Sequence, residues 1–212
     1  MSNKQGLSAQ RLRELSDLFI VVLVVFVAGV FHQELNPWFS WDRQAIDAGQ
    51  WWRLLSANLM HLNVNHMLMN LSVYVLAAIL FQASAGWKQW YASIVLIGLG
   101  VGLGLYWFDP NLVNYVGLSG LLYGLIAQQL LLQCRQQPLI YLLIYAVLVY
   151  KVVSQQGDDF EPSEMKEFIG GNVVASSHLI GLICGNFIAA SIYLYRALFT
   201  MSKINKEEEN KE

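Results

Sequence analysis

Six apolar stretches, roughly 16–35, 58–81, 89–108, 115–133, 138–153 and 172–198, occupy most of the 212 residues. Crossing a bilayer takes about 20 mostly apolar residues, a length that all but the short 138–153 stretch approach or exceed. The chain is 56% hydrophobic and only 13% charged, against about 25% charged residues in ordinary soluble domains. The expectation is an all-α, polytopic membrane protein, one compact six-helix bundle. The first stretch also has the look of a signal peptide, with basic residues ahead of a short apolar core. No small-x-small cleavage site follows it, however, and five remaining spans would strand the termini on opposite sides.

Charge sets the orientation. Lys4, Arg11 and Arg13 precede the first stretch, Lys88 the third, and Arg135 separates the fourth from the fifth. Arg196, Lys203, Lys206 and Lys211 follow the sixth, while the alternate loops hold Asp109, Asp158, Asp159, Glu161, Glu164 and Glu167. The positive-inside rule places both termini in the cytoplasm and turns the 36–57 and 154–171 loops outward. Trp38, Trp41, Trp51 and Trp52 suit a first outer loop at the membrane–water interface. Arg53, directly after them, is expected to pin that loop by hydrogen bonds. The organisation expected is a cytoplasmic segment over 1–14, a membrane domain over 15–200 and a charged, disordered cytoplasmic tail over 201–212. A net charge of -2 with no basic stripe gives no sign of a nucleic-acid partner. Cys134 and Cys184 form no disulfide framework and read as apolar filler.

Polar groups at membrane depth are costly and mark functional sites. Here they are His61, Asn65, His66, Asn70, Ser119, Tyr123, Asn172 and His178. Counting in from the outer ends of the fourth and sixth stretches puts Ser119 and His178 both about 6–9 Å below the outer face. Gly117, Gly120 and Gly124 surround Ser119, and Gly181 and Gly185 follow His178. The two four-residue glycine spacings make small-xxx-small faces on which the fourth and sixth helices can meet. Tyr123, one turn below Ser119, is placed to brace the imidazole. A serine hydroxyl needs a base within hydrogen-bond reach, and a neutral buried imidazole can accept its proton. No Asp or Glu lies deep in the stretches, so a Ser–His dyad rather than a triad is expected. An oxyanion needs donors, for which His66 and Asn70, on one face at i,i+4, and the Ser119 backbone N–H are candidates. On a continuous helix His61 and His66 would point about 140° apart.

Other chemistries fit less well. Gly117-Leu118-Ser119-Gly120-Leu121 departs from G-x-S-x-G at its last residue and has no soluble strand before it, which excludes an α/β hydrolase. His61 and His66 lack zincin spacing and glutamate. No metal or cofactor is expected.

These residues resemble the rhomboid family of intramembrane serine proteases. The likeness covers about 35–200 through Trp52-Arg53, His61…His66…Asn70, Gly117-Leu-Ser119-Gly120…Tyr123 and His178-x-x-Gly181-x-x-x-Gly185. It implies Ser119 as nucleophile, His178 as general base, an oxyanion site of His66, Asn70 and the Ser119 backbone, and Tyr123 stacked on His178. It further implies that the 154–171 loop caps the site, and that movement of this loop and the fifth helix admits substrate. The implied partner is a single-span membrane protein delivered within the lipid bilayer, with the active site facing the periplasm from a bacterial inner membrane. The segment Ala45-Ile46-Asp-Ala-Gly49-Gln-Trp-Trp52-Arg53-Leu-Leu and the compact form are similar to the rhombosortase subgroup. That resemblance implies substrates with a C-terminal Gly-Gly, membrane-span and basic-tail signal. The competing expectations are a general rhomboid protease with other substrates, an inactive rhomboid-like protein that escorts clients, and a small transporter.

Overall fold

The computed structural model describes residues 19–157, 160 and 163–209. The 1–14 segment with Lys4, Arg11 and Arg13, residues 16–18 of the first stretch, and Asp158, Asp159, Glu161 and Lys211 lie outside the described residues.

The first stretch is not one straight span. Helix α1 (Phe19–Val30) and helix α2 (His32–Phe39) meet at a bend of 102°. The physical reason is composition: α2 carries His32, Glu34, Asn36 and Pro37, side chains too polar to continue into lipid. The first outer loop then runs through strand β1 (Trp41–Asp42), helices α3 (Arg43–Asp47) and α4 (Arg53–Ser56), and a 3-10 turn at Ala57–Leu59. Helix α5 (Val64–Ala85) follows, capped by Asn63, whose side chain accepts the His66 N–H at 2.8 Å. Next come α6 (Trp87–Phe108), strand β2 (Asn114–Tyr115), α7 (Ser119–Gln133), α8 (Pro138–Ser154), the short α9 (Ser163–Ile169) and α10 (Ala175–Glu209).

Among the described residues three helices, α5 over Val64–Gln82, α6, and α10 over Ala175–Lys203, are long and apolar enough to cross a membrane; the bent α1–α2 pair makes a fourth if taken as one broken span. Large apolar side chains point away from the bundle, among them Ile79 on α5, Leu139 on α8 and Phe187 on α10. Exposed apolar surface on this scale belongs against lipid, and the chain is an integral membrane protein. At the centre stands α7, with ten of its 15 residues buried. It is about 22 Å long, some 8 Å short of a hydrocarbon core of about 30 Å. A helix that reaches one membrane face must then begin below the other.

Two helix starts differ from the sequence expectation. The fourth stretch becomes helical at Ser119 rather than near 115, because Tyr115 is drawn into an antiparallel pair with Trp41 and Gly117 takes φ +135°. A left-handed residue of that kind cannot enter a right-handed helix. The sixth starts at Ala175, after Gly170 at φ +78°. Ser119 is therefore the first helical residue, not one a turn inside. The irregular backbone ahead of it is tolerated because it is buried in protein.

Trp41, expected at the interface, is fully buried, and its indole N–H donates to Gly102 O at 3.0 Å. Beside it, the Arg43 guanidinium donates to the carbonyls of Leu105, Tyr106, Asp109 and Leu112. It thus gives the Tyr106 carbonyl at the end of α6 a partner and ties the 109–112 turn after that helix to the first outer loop. At the other end of the chain, α10 continues to Glu209, so residues 201–209 are helical instead of a coil. The lysines and glutamates there are good helix formers.

Candidate active site

Ser119 opens α7 and His178 lies in the first turn of α10. They meet because the two helices touch backbone to backbone. A Cβ built on Gly124 would run into Gly181 O, one on Gly181 into Gly120 O, and one on Gly185 into Gly124 O. Only glycine permits this interlock. It holds the Ser119 Oγ at 2.9 Å from His178 Nε2. The Tyr123 ring lies against the imidazole, centroids 4.4 Å apart at 35°.

The other ring nitrogen of His178 is occupied too. Nδ1 lies 2.7 Å from Oε1 of Gln155, the C-cap of α8. With a carboxamide oxygen as its neighbour, the tautomer that matches carries the proton on Nδ1 and leaves the Nε2 lone pair for the Ser119 hydroxyl. Sequence reasoning missed Gln155, because it looked only for an acid as a third partner. The usable signal was a polar Gln155-Gln156 pair ending an apolar helix at the outer side.

A cavity of about 490 Å³ opens over this pair, with His66, Asn70 and Ile169 also in its wall. The Asn70 amide nitrogen is buried and has no partner among the described residues. The Ser119 N–H belongs to the first helical turn, where no intrahelical acceptor exists. His66 lies flat against Gly117, where a Cβ would come within 3.0 Å of its Cε1. The Leu62 N–H faces His66 Nδ1 at 3.5 Å, which leaves Nε2 as the donor side. Three donors thus border one cavity. Gly117 is held from both sides: its N–H donates to Ala57 O at 3.1 Å and its carbonyl accepts the Tyr115 hydroxyl at 2.6 Å. Burial pushes the Tyr115 phenol up to about 12, so it stays a donor.

The geometry corrects one sequence inference. His61 and His66 do not diverge; their rings meet edge to face, centroids 5.0 Å apart at 81°. The helical count failed because α5 begins only at Val64 and His61 sits in the connector before it. His61 is fully buried, its Nδ1 3.1 Å from Leu59 O. Burial first, and the nearby His66 second, push its imidazole down to about 3. Arg53, 4% exposed, donates to Pro37 O and Ser40 O, each at 2.7 Å, and to Gln50 Oε1 at 2.8 Å. It joins α2 and α4 but lies outside the cavity lining. Helix α9 contributes Met165 and Ile169 to the cavity lining. The side-chain amides of Asn63 and Asn65 both donate to Phe168 O, at 3.2 and 3.4 Å, tying α9 to the start of α5.

Fold and site together define an all-helical integral membrane protein with a serine–histidine pair sunk between its central helices. The chain belongs to the rhomboid family: the rhomboid domain model matches residues 48–195. Two proteins of Bacillus subtilis (strain 168) are similar to it. One, named "Putative rhomboid protease YdcA", is 30% identical over 152 residues, covering 66% of this chain and 66% of that protein. The other, named "Rhomboid protease GluP", is 22% identical over 156 residues, covering 74% of this chain and 29% of that protein. The chain thus spans less than two thirds of the length of either relative.

Proposed function

We propose that this protein is a serine endopeptidase that cleaves membrane-anchored proteins within the bilayer, with Ser119 as nucleophile and His178 as general base. The observation that carries this is the 2.9 Å contact between Ser119 Oγ and His178 Nε2 at the wall of a cavity. Nε2 takes the hydroxyl proton as Oγ attacks the scissile carbonyl carbon. The carbonyl oxygen becomes an oxyanion facing the Ser119 N–H, the Asn70 amide and His66. Collapse expels the amine, which leaves with the proton from Nε2, and an ester remains on Ser119. Water, deprotonated by His178, attacks that ester; the carboxylate product departs and the proton returns to Ser119 Oγ. Tyr123 stacks on His178, while Gly117, Gly120, Gly181 and Gly185 hold the backbones in place. His61 buttresses His66, and Arg53 holds the outer loop that leads into the connector carrying His61.

The topology that goes with this is six spans with both termini cytoplasmic, placing the site near the outer face, which in a bacterial inner membrane faces the periplasm. The membrane domain covers 15–200, between a cytoplasmic segment and a charged tail. The substrate is a single-span protein whose helix unwinds near that face, because peptide bonds inside a helix are shielded. Residues 45–55 support a narrower reading, in which exported proteins with a C-terminal Gly-Gly anchor signal are processed as by a rhombosortase.

The test is turnover by the purified chain in proteoliposomes. Wild type should cleave a single-span substrate and react with a fluorophosphonate at Ser119, whereas Ser119→Ala and His178→Ala should fold and do neither. Normal turnover by either variant would end the proposal. Sequencing new C-termini of exported proteins, with and without active Ser119, separates the Gly-Gly reading from other substrates.

A further inference from the structure

Helix α8 lies at the edge of the bundle. Among its 17 residues only Val152 is buried, yet its end reaches the site twice. Gln156 Nε2 donates to Val152 O within α8 and to Ala175 O, the first residue of α10, both at 3.0 Å. Gln155 Oε1 lies 2.7 Å from His178 Nδ1. One glutamine fastens α8 to the helix that carries the histidine, and the next engages the histidine itself.

We infer that Gln155 is the positioning residue of the site, resting on the Ser119–His178 assignment proposed above: its side-chain oxygen accepts the Nδ1 proton, holds the tautomer with Nε2 free, and aims the ring at Ser119. The chemistry requires such a partner. Imidazole can place its proton on either nitrogen, and only the Nδ1–H form accepts from the serine. Tyr123 lies against the ring, tilted by 35° at 4.4 Å between centroids, but does not distinguish one nitrogen from the other. In serine triads a carboxylate selects the tautomer and stabilises the imidazolium. A neutral carboxamide performs the first task when its oxygen is the atom turned to Nδ1, as it is here, and the second only as a dipole. It also suits its place, half-buried at the outer end of an apolar helix, where an isolated carboxylate would be costly.

The test compares wild type with Gln155→Met, which keeps length and volume but has no strong acceptor, and Gln155→Glu, which keeps the acceptor. Purified full-length protein in proteoliposomes is assayed for kcat, KM and the rate of fluorophosphonate labelling at Ser119, with thermal melts to verify folding. Gln155→Met should lose about 10- to 100-fold in kcat and labelling rate, because Nδ1–H is left without a partner, while KM stays put. Gln155→Glu should remain far closer to wild type. A packing role predicts the opposite order, Met tolerated and Glu not. Histidine ring 15N shifts give a readout independent of turnover and of variant folding: wild type should show a protonated Nδ1 on His178. An Nε2–H tautomer there, or Gln155→Met at the wild-type rate, overturns the inference. Activity surviving in Ser119→Ala or His178→Ala would instead overturn the assignment beneath it.

Discussion

A methyl group added at Gly181 tests how directly the α7–α10 contact sets the chemistry. In Gly181→Ala the new Cβ would collide with the Gly120 carbonyl, lying 2.8 Å from its carbon and closer still to its oxygen. An ordinary carbon–oxygen contact is about 3.3–3.6 Å, so the helices must part by on the order of 1 Å. Ser119 adjoins Gly120 and His178 is one turn before Gly181, so the separation falls across the 2.9 Å Ser119–His178 bond. That bond would stretch beyond the roughly 3.2 Å limit of a good hydrogen bond. Overpacking of this kind costs about 1–3 kcal/mol, and a 1 Å misplacement of reacting groups costs about 100-fold in rate. Gly181→Ala should therefore melt somewhat earlier and lose about 100-fold in kcat. Gly120→Ala meets Ser177 O at 2.9 Å and the Tyr115 hydroxyl at 3.1 Å, a milder overlap with a correspondingly smaller loss. Gly157→Ala, with nothing within 4 Å, should change neither property. Proteoliposome turnover and detergent melts of the three variants give the order. A folded Gly181→Ala that turns over at the wild-type rate would refute the reasoning.

Three further outcomes follow from named contacts. Asn70→Ala removes a buried, unpartnered donor beside Ser119 and should lower kcat by about 100- to 1,000-fold with little change in KM; an unchanged kcat would remove Asn70 from the oxyanion site. Arg53→Ala breaks three hydrogen bonds, two of which join α4 to the end of α2, and should cost about 3 kcal/mol in unfolding measurements, with Arg53→Lys recovering only part because an ammonium cannot reproduce the planar fork. His61, at about 3 when folded against an ordinary 6.5, takes up its proton more readily when unfolded; stability should be fully present above pH 6.5 and fall by up to about 1.4 kcal/mol per pH unit as pH drops from there toward 3. Melts of His61→Gln should show that slope flattened, and an unaltered slope would assign the acid sensitivity to another group.

The helices were legible because their stretches are long and apolar, and the polar residues stood out because lipid tolerates few of them. What misled was treating each apolar stretch as one unbroken helix. Tyr115 and Gly117 belong by composition to the stretch containing Ser119, but strand pairing with Trp41 and a left-handed φ remove them from α7. The same error put His61 on the helix of His66 and set their rings apart. Trp41 was misplaced because a tryptophan at an interface and one in a core look alike until a partner such as Gly102 O is present.

Sequence alone determined the membrane class, the glycine faces and the identity of a serine and a histidine worth pairing, since each is a local consequence of side-chain chemistry and helical spacing. Tertiary structure decided that Ser119 opens α7 and does not lie a turn inside it, because strand pairing and the Gly117 turn come before it. It also brought Gln155, 23 residues away in the chain, to the far ring nitrogen of His178. Such contacts depend on how three helix ends converge, and no periodicity within any one of them encodes that convergence.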